Sequence, residues 1–221
     1  MGISRHGYIA AERLANKPQT RSRLRQSVSF VGSSALIGLG VSLFVHARLG
    51  VPSFDVMLTA LRDLLGVSLG QALWLFTGSM FVVAAALGRP PRFSSLLWLG
   101  ANGASVDVFL SLIRDPESPL VRVLFVAMGT TAIATAVALV VHAGFTGGSL
   151  ELLSLAAEDR GLDPFVVRRN IEIAIVIVGF TLGGDLGPAT LVFALTMSPL
   201  LRAGRQALDD HRVGRELRLA R

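Results

Sequence analysis

The chain contains no cysteine, which excludes disulfides and thiolate metal sites outright. Charge is scarce as well. Charged residues make up 16% of the 221 positions, where a soluble domain carries roughly a quarter. No glycine-rich nucleotide loop, catalytic triad or metal-ligand cluster can be read along it. An enzyme is therefore not expected, and neither is a cofactor or a bound metal. The net charge of +6 would suit a nucleic-acid partner. The basic residues, however, crowd into the two tails that flank apolar stretches. There Arg and Lys fix orientation and meet anionic headgroups, so the expected partner is the lipid bilayer and not nucleic acid.

What the chain does hold is apolar surface: 52% of its residues are hydrophobic, with a mean hydropathy of +0.60. A helix needs about 20 mostly apolar residues to cross a bilayer. Candidate spans are Val28–Ala47, Leu69–Leu87, Phe93–Ile113, Leu120–Ala143 and the shorter Ile171–Gly184 and Leu186–Leu201. The expected fold is all-α, a polytopic transmembrane bundle of about six spans. Arg5, Arg13, Lys17, Arg21, Arg23 and Arg25 precede the first span, which predicts a cytoplasmic amino terminus. Six alternating crossings then place Arg89, Arg92 and the Arg-rich tail from Arg202 to Arg221 on the same side. Val45-His46-Ala47 would also suit a signal-peptide cleavage site. The same string recurs deep in the chain, so the first span is read as retained.

That recurrence is the most informative pattern. Residues 41–47 read VSLFVHA and residues 137–143 read VALVVHA. At the same offset Ser53 falls on Ser149, Asp55 on Glu151 and Ala60 on Ala156. After a one-residue deletion, Leu87-Gly88 falls on Leu182-Gly183. Self-similarity at a fixed period reports a structural repeat. The expected organisation is a basic cytoplasmic tail over residues 1–27, a three-span repeat over 28–119, a second over 120–203 and a basic tail over 204–221. Three spans per copy force the second copy to enter from the opposite face, a 3+3 inverted repeat of the kind found in secondary transporters.

Residues 49–67 and 144–165 are too long for simple turns. In the first, Val56, Met57, Ala60, Leu61, Leu64 and Leu65 recur at helical spacing. Ser53 and Ser149 stand where N-caps belong, with Asp55 and Glu151 in the turn that follows. Short amphipathic helices are expected here, re-entrant or interfacial, and the Gly/Pro-rich approaches favour re-entrant.

Ionisable groups within spans each need a reason. Asp107 lies in the third span among small residues. Arg168, Arg169, Asn170 and Glu172 open the fifth, with Arg169 and Glu172 spaced to pair on one face. His46 and His142 close the first span of each copy and are candidate proton sensors. Asp55, Asp107, Glu151, Arg169 and Glu172 are the candidate substrate-binding residues.

The stretch LGVPSFDVMLTALRDLLGVSLG resembles a signature segment of the bacterial YczE-like membrane proteins, the YczE/YyaS/YitT group. VRRNIEIAIVIVGFTLGGDLGPATLVFAL resembles that group's second signature, an Arg and a Glu opening a span that ends in Leu-Gly-Gly. The resemblance covers roughly residues 30–203. It implies that Asp55, Asp107, Arg169, Glu172 and Gly183 are family-type residues, and it supports the membrane fold more than any activity. The resulting expectation is a small-molecule transporter or permease-like protein of the bacterial cytoplasmic membrane, its substrate unknown and a homo-oligomer compatible with the sequence. The alternative is a non-transporting scaffold or regulator that acts through lipid or cytoplasmic partners.

Overall fold

Four runs of the chain are both long and apolar, and each forms a helix of span length. In the computed structural model these helices are α1 (Arg23–Ala47), α3 (Leu69–Ala86), α4 (Phe93–Leu112) and α5 (Pro119–Ala143). All four are long and apolar enough to cross a membrane. The intervening and later elements are α2 (Ser53–Leu65), α6 (Ser149–Glu158), α7 (Pro164–Thr181) and α8 (Pro188–Met197). The structure describes the backbone of residues 23–143 and 148–197 and the side chains of 27–140 and 148–197, and all regular structure among them is helical. Both tails, the side chain of His142 and residues 144–147 lie outside the described residues.

Local chemistry explains most boundaries. Ser68 caps α3: its hydroxyl accepts from Gln71 N at 3.1 Å while Gln71 Oε1 accepts from Ser68 N at 3.0 Å, a reciprocal box. Helix α2 stops at Gly66, whose left-handed φ of 65° lets its N–H reach Arg62 O. Two expectations need correction. Ser53 and Ser149 do not cap: each is the first residue of its helix, behind Pro52 and Gly148, and neither helix has a side-chain cap bond. The fifth span was expected to begin at Ile171, but α7 begins a full two turns earlier. Asp163 accepts from Phe165 N at 2.9 Å and Pro164 fills the first turn, a start signal that lies in polar sequence ahead of the apolar run.

The helix starts themselves recur. Ser53 and Ser149, which open α2 and α6, are 96 positions apart. The pairs α3/α7 and α4/α8 open 95 positions apart. The positive-φ glycines keep that spacing: Gly66 (65°) with Gly161 (79°), and Gly88 (87°) with Gly183 (94°).

Contacts fix how the helices run. Helices α1 and α4 are parallel, with Trp98 Nε1 donating to Ser33 Oγ at one level and Ser42 Oγ to Val106 O further along. Helices α1 and α5 are antiparallel. Gly40 packs on Gly129 and Ile133, and a Cβ on Gly129 would meet the Phe44 ring. Helix α3 runs against α4, with Gly70 opposite Gly103 and Asp107 and Trp74 donating to Leu99 O. Helix α8 runs back down α1: Ala189 N bonds to Leu49 O, and Phe193 meets Phe44 edge-on at 5.6 Å. The short helices pack across the halves, α2 on α7 and α6 on α3, and each also packs on the third helix of its own half.

Ion pairs gather the connections at two opposite ends. At one end His46 and Arg48 meet Asp115, and Arg62 lies 3.8 Å from Asp185. At the other, Arg89 holds both oxygens of Asp159 at 2.6 Å, and Arg160 donates to Leu87 O.

Candidate functional site

The site grows from two interrupted segments that meet between the halves. Residues 48–52 leave α1 through a left-handed turn at Arg48 (φ 55°) and Gly50 (φ 101°). Residues 184–187 connect α7 to α8. The two lie backbone to backbone: Val51 N donates to Asp185 O at 3.1 Å, Ala189 N to Leu49 O at 2.9 Å and Thr190 Oγ1 to Val51 O at 2.7 Å. Asp185 N donates to Thr59 Oγ1 at 2.9 Å, which ties α2 to the same crossing. These bonds satisfy main-chain groups that no helix pairs, as irregular backbone packed against protein requires, while Arg48 and Asp185 at the same crossing stay exposed. Glycine makes the approach possible. A Cβ on Gly50 would sit 2.5 Å from Gly187 N, and one on Gly184 would run into Val56 O.

Helix α2 enters this crossing. Its residues Asp55 through Ala60 are all buried. An interfacial helix buries one stripe, whereas six consecutive residues cover every face, so the first half of α2 is enclosed by protein. Phe54 stacks at 5.2 Å on Phe76, midway along α3, and Met57 packs with Met80, Ala84, Leu153 and Ile175 from three other helices. The helix then turns outward to Leu64 and Leu65, which are exposed.

Asp55 lies in the opening turn of α2 at 7% exposure, and among the described residues its carboxyl has no hydrogen-bond or ion-pair partner. The other predicted residues have separate surroundings. Asp107 is half-buried on α4 and holds the start of α3, accepting from Ser68 Oγ at 2.6 Å and Gly70 N at 2.8 Å. It is a cap supplied by another helix, with a carboxylate set against the positive end of the α3 dipole. Glu151 is partly buried in the first turn of α6. Arg169 is exposed, and the expected pairing of Arg169 with Glu172 is replaced by Arg168 Nε to Glu172 Oε1 at 3.0 Å, at i and i+4. The structure thus separates the five residues: Asp55 stands at the crossing, Asp107 at the start of α3, Glu151 in the first turn of α6, and Arg169 and Glu172 on the outward face of α7.

His46 bridges two acceptors. Nδ1 lies 2.6 Å from Asp115 Oδ1 and Nε2 lies 3.2 Å from Leu110 O. The His46 hydrogen bond, with the Arg48 charge beside it, holds the Asp115 carboxyl below the usual carboxylate range. At the other end the Arg89 hydrogen bond does the same to Asp159. No cluster of three or more His, Asp or Glu suited to a metal occurs among the described residues.

Sequence reasoning missed the crossing, because neither Gly50 nor Gly187 announces its partner. It also missed a cavity of about 400 Å³ between α5 and α8, lined by apolar residues such as Val123, Val126, Ala127 and Val192. That cavity holds none of the charged candidates. Three side-chain atoms sealed from solvent lack partners among the described residues, Ser34 Oγ, Thr77 Oγ1 and Asn102 Oδ1, whereas the Asp55 oxygens keep a small exposure.

Comparison with known proteins follows the same outline. Residues 24–206 match the model of DUF6198, a family of unknown function. The chain is 26% identical over 184 residues to the uncharacterized membrane protein YczE of Bacillus subtilis strain 168, covering 81% of this chain and 84% of that one. It is 22% identical over 181 residues to the uncharacterized protein YyaS of the same strain, covering 80% and 90%. A Haemophilus influenzae uncharacterized protein is 23% identical over 170 residues, covering 76% and 78%. No solved structure matches significantly.

Proposed function

The chain belongs to DUF6198, a family of unknown function, and on that premise we propose that it is a small-molecule transporter or permease-like protein of the bacterial cytoplasmic membrane. The observation that carries this reading is the crossing of the two interrupted segments, with the first half of α2 enclosed beside it. Broken segments meeting inside a helix bundle form the binding sites of repeat-built secondary transporters. On this reading α1, α3, α4, α5, α7 and α8 cross the membrane in alternating directions, and the two halves are an inverted repeat. The recurring helix starts support it, as do the antiparallel α1 and α5 and the packing of α2 on α7 and of α6 on α3. Both short helices are re-entrant, with their amino ends deep and their carboxyl ends at opposite faces. The face that holds Arg89, Arg92 and both basic tails is cytoplasmic, by the positive-inside rule. The reading assigns no enzymatic step.

The test is accessibility of the crossing. Thr59, midway along α2 and bonded to Asp185 N of the crossing, and Ser149, the first residue of α6, are both buried. Single cysteines there, probed with small impermeant reagents from each side of right-side-out and inside-out vesicles, should react from both sides in a transporter that alternates its access. Protection from both sides, or reaction from one side only, would favour the non-transporting scaffold.

A further inference from the structure

We propose that Asp55 is a proton-carrying site: its carboxyl takes up and releases a proton inside the bundle, so the ion coupled to movement through it is H⁺. This rests on the transporter reading and names its coupling ion. Three placements lead there. Asp55 is 7% exposed, within a run of buried residues that covers every face of α2. It stands three residues past Pro52, where the segment from α1 has just crossed the α7–α8 connection. And no described cation pairs with it. On its own helix Arg62 is held by Asp63 at 2.7 Å and faces Asp185. On α7, Arg168 pairs with Glu172 and Arg169 is exposed. At the end of α1, His46 and Arg48 both meet Asp115. Helix α3 carries no ionisable residue, Asp107 of α4 is occupied with Ser68 and Gly70, and Glu151 and Glu158 of α6 add only further acid.

A carboxyl enclosed without a cation or donor is retained most easily as the neutral acid, and it must give up its proton when water or substrate reaches it. A metal cation is a poorer occupant, because it needs several oxygens at once and no group of three or more His, Asp or Glu suited to a metal occurs among the described residues. Bound protonation requires no oxidant and no leaving group. The chemistry is O–H formation and its reversal.

Dicyclohexylcarbodiimide reacts with protonated carboxyls in apolar surroundings, so the wild-type protein in detergent or membranes can be tested without a known substrate. Mass spectrometry should find the adduct on Asp55, declining as pH is raised, with exposed Glu117 and Glu158 as internal controls. Asp55→Asn should lose the adduct and keep the wild-type melting temperature, because it replaces a neutral acid with a neutral amide of the same shape. Absence of the adduct at neutral pH, labelling that does not change with pH, or a large loss of stability in Asp55→Asn would overturn the proposal. Protection by sodium at fixed pH would also overturn it, in favour of a metal cation. These readouts do not depend on transport, so a failure here leaves the accessibility test of the crossing untouched.

Discussion

Helices α2 and α6 hold equivalent places in the two halves, yet they differ in depth and in chemistry. Each opens 96 positions from the other, begins with a serine and carries an acid two residues on. Each packs against the third helix of the opposite half. In α2 the acid is buried with no described partner and the helix runs 13 residues. In α6 the helix runs 10 residues and Glu151 is half-buried. The serines differ too, since Ser149 Oγ lies 3.6 Å from the Met80 sulfur while Ser53 makes no such contact. On the proposed repeat a shared scaffold sets the backbone, and the two halves differ at the position where a charge is most expensive. Symmetry therefore belongs to the framework, and the proposed chemistry belongs to one half.

The largest effects should come from glycines at the crossing. Gly50→Ala forces a Cβ onto Gly187 and strains a φ of 101°, so roughly 4 kcal/mol or more is expected, seen as loss of folded protein by size-exclusion of detergent extracts. Gly66→Ala has a positive φ but open space around it, and should cost only about 1–2 kcal/mol. Equal losses would remove the special status of the crossing. Asp107→Asn comes next. It weakens two bonds at the start of α3 and should lower stability by about 1.5–3 kcal/mol, measured by thermal unfolding. Carbodiimide labelling of Asp55 should persist in that variant, which separates a cap from a site.

Smaller still are the contacts at the two ends. Asp115→Asn should lower the melting temperature slightly at neutral pH. The Asp115 carboxyl sits below its ordinary range when folded, so its contribution is present above that range and disappears as pH falls through the lowered value. The difference from wild type should close in acid, and Asp159→Asn should follow the same course at the opposite end. Smallest is Arg168→Ala, which removes an exposed i,i+4 pair worth about 0.3–0.5 kcal/mol. A large effect there would give the outward face of α7 a role that its exposure does not suggest.

Helix length and apolar content made α1, α3, α4 and α5 legible, because a span needs little beyond both. The recurrence of Ser53-x-Asp55 at Ser149-x-Glu151 has the spacing of the helix starts, 96 positions for α2 and α6. The start of α7 was misread because Asp163-Pro164 lies in polar sequence ahead of the apolar run. The partner of Asp107 was not legible at all. A carboxylate that caps another helix looks, in sequence, the same as one that meets a ligand. The crossing at Gly50 and Gly187 is tertiary in the same sense, since two glycines 137 positions apart carry no mark of their approach. Asp55 stood out as an acid near a helix start, but its enclosure came only from the packing of α3, α6 and α7 around α2.

The central claim is that the two halves are inverted. Asp63 and Glu158 are both exposed and lie near the carboxyl ends of α2 and α6, and the chain has no native cysteine to interfere. Single cysteines at each, labelled in intact cells with an impermeant maleimide before and after permeabilisation, report their sides. Asp63→Cys should label from outside and Glu158→Cys only after permeabilisation. Labelling of both from the same side would contradict the inverted repeat, and with it the transporter reading.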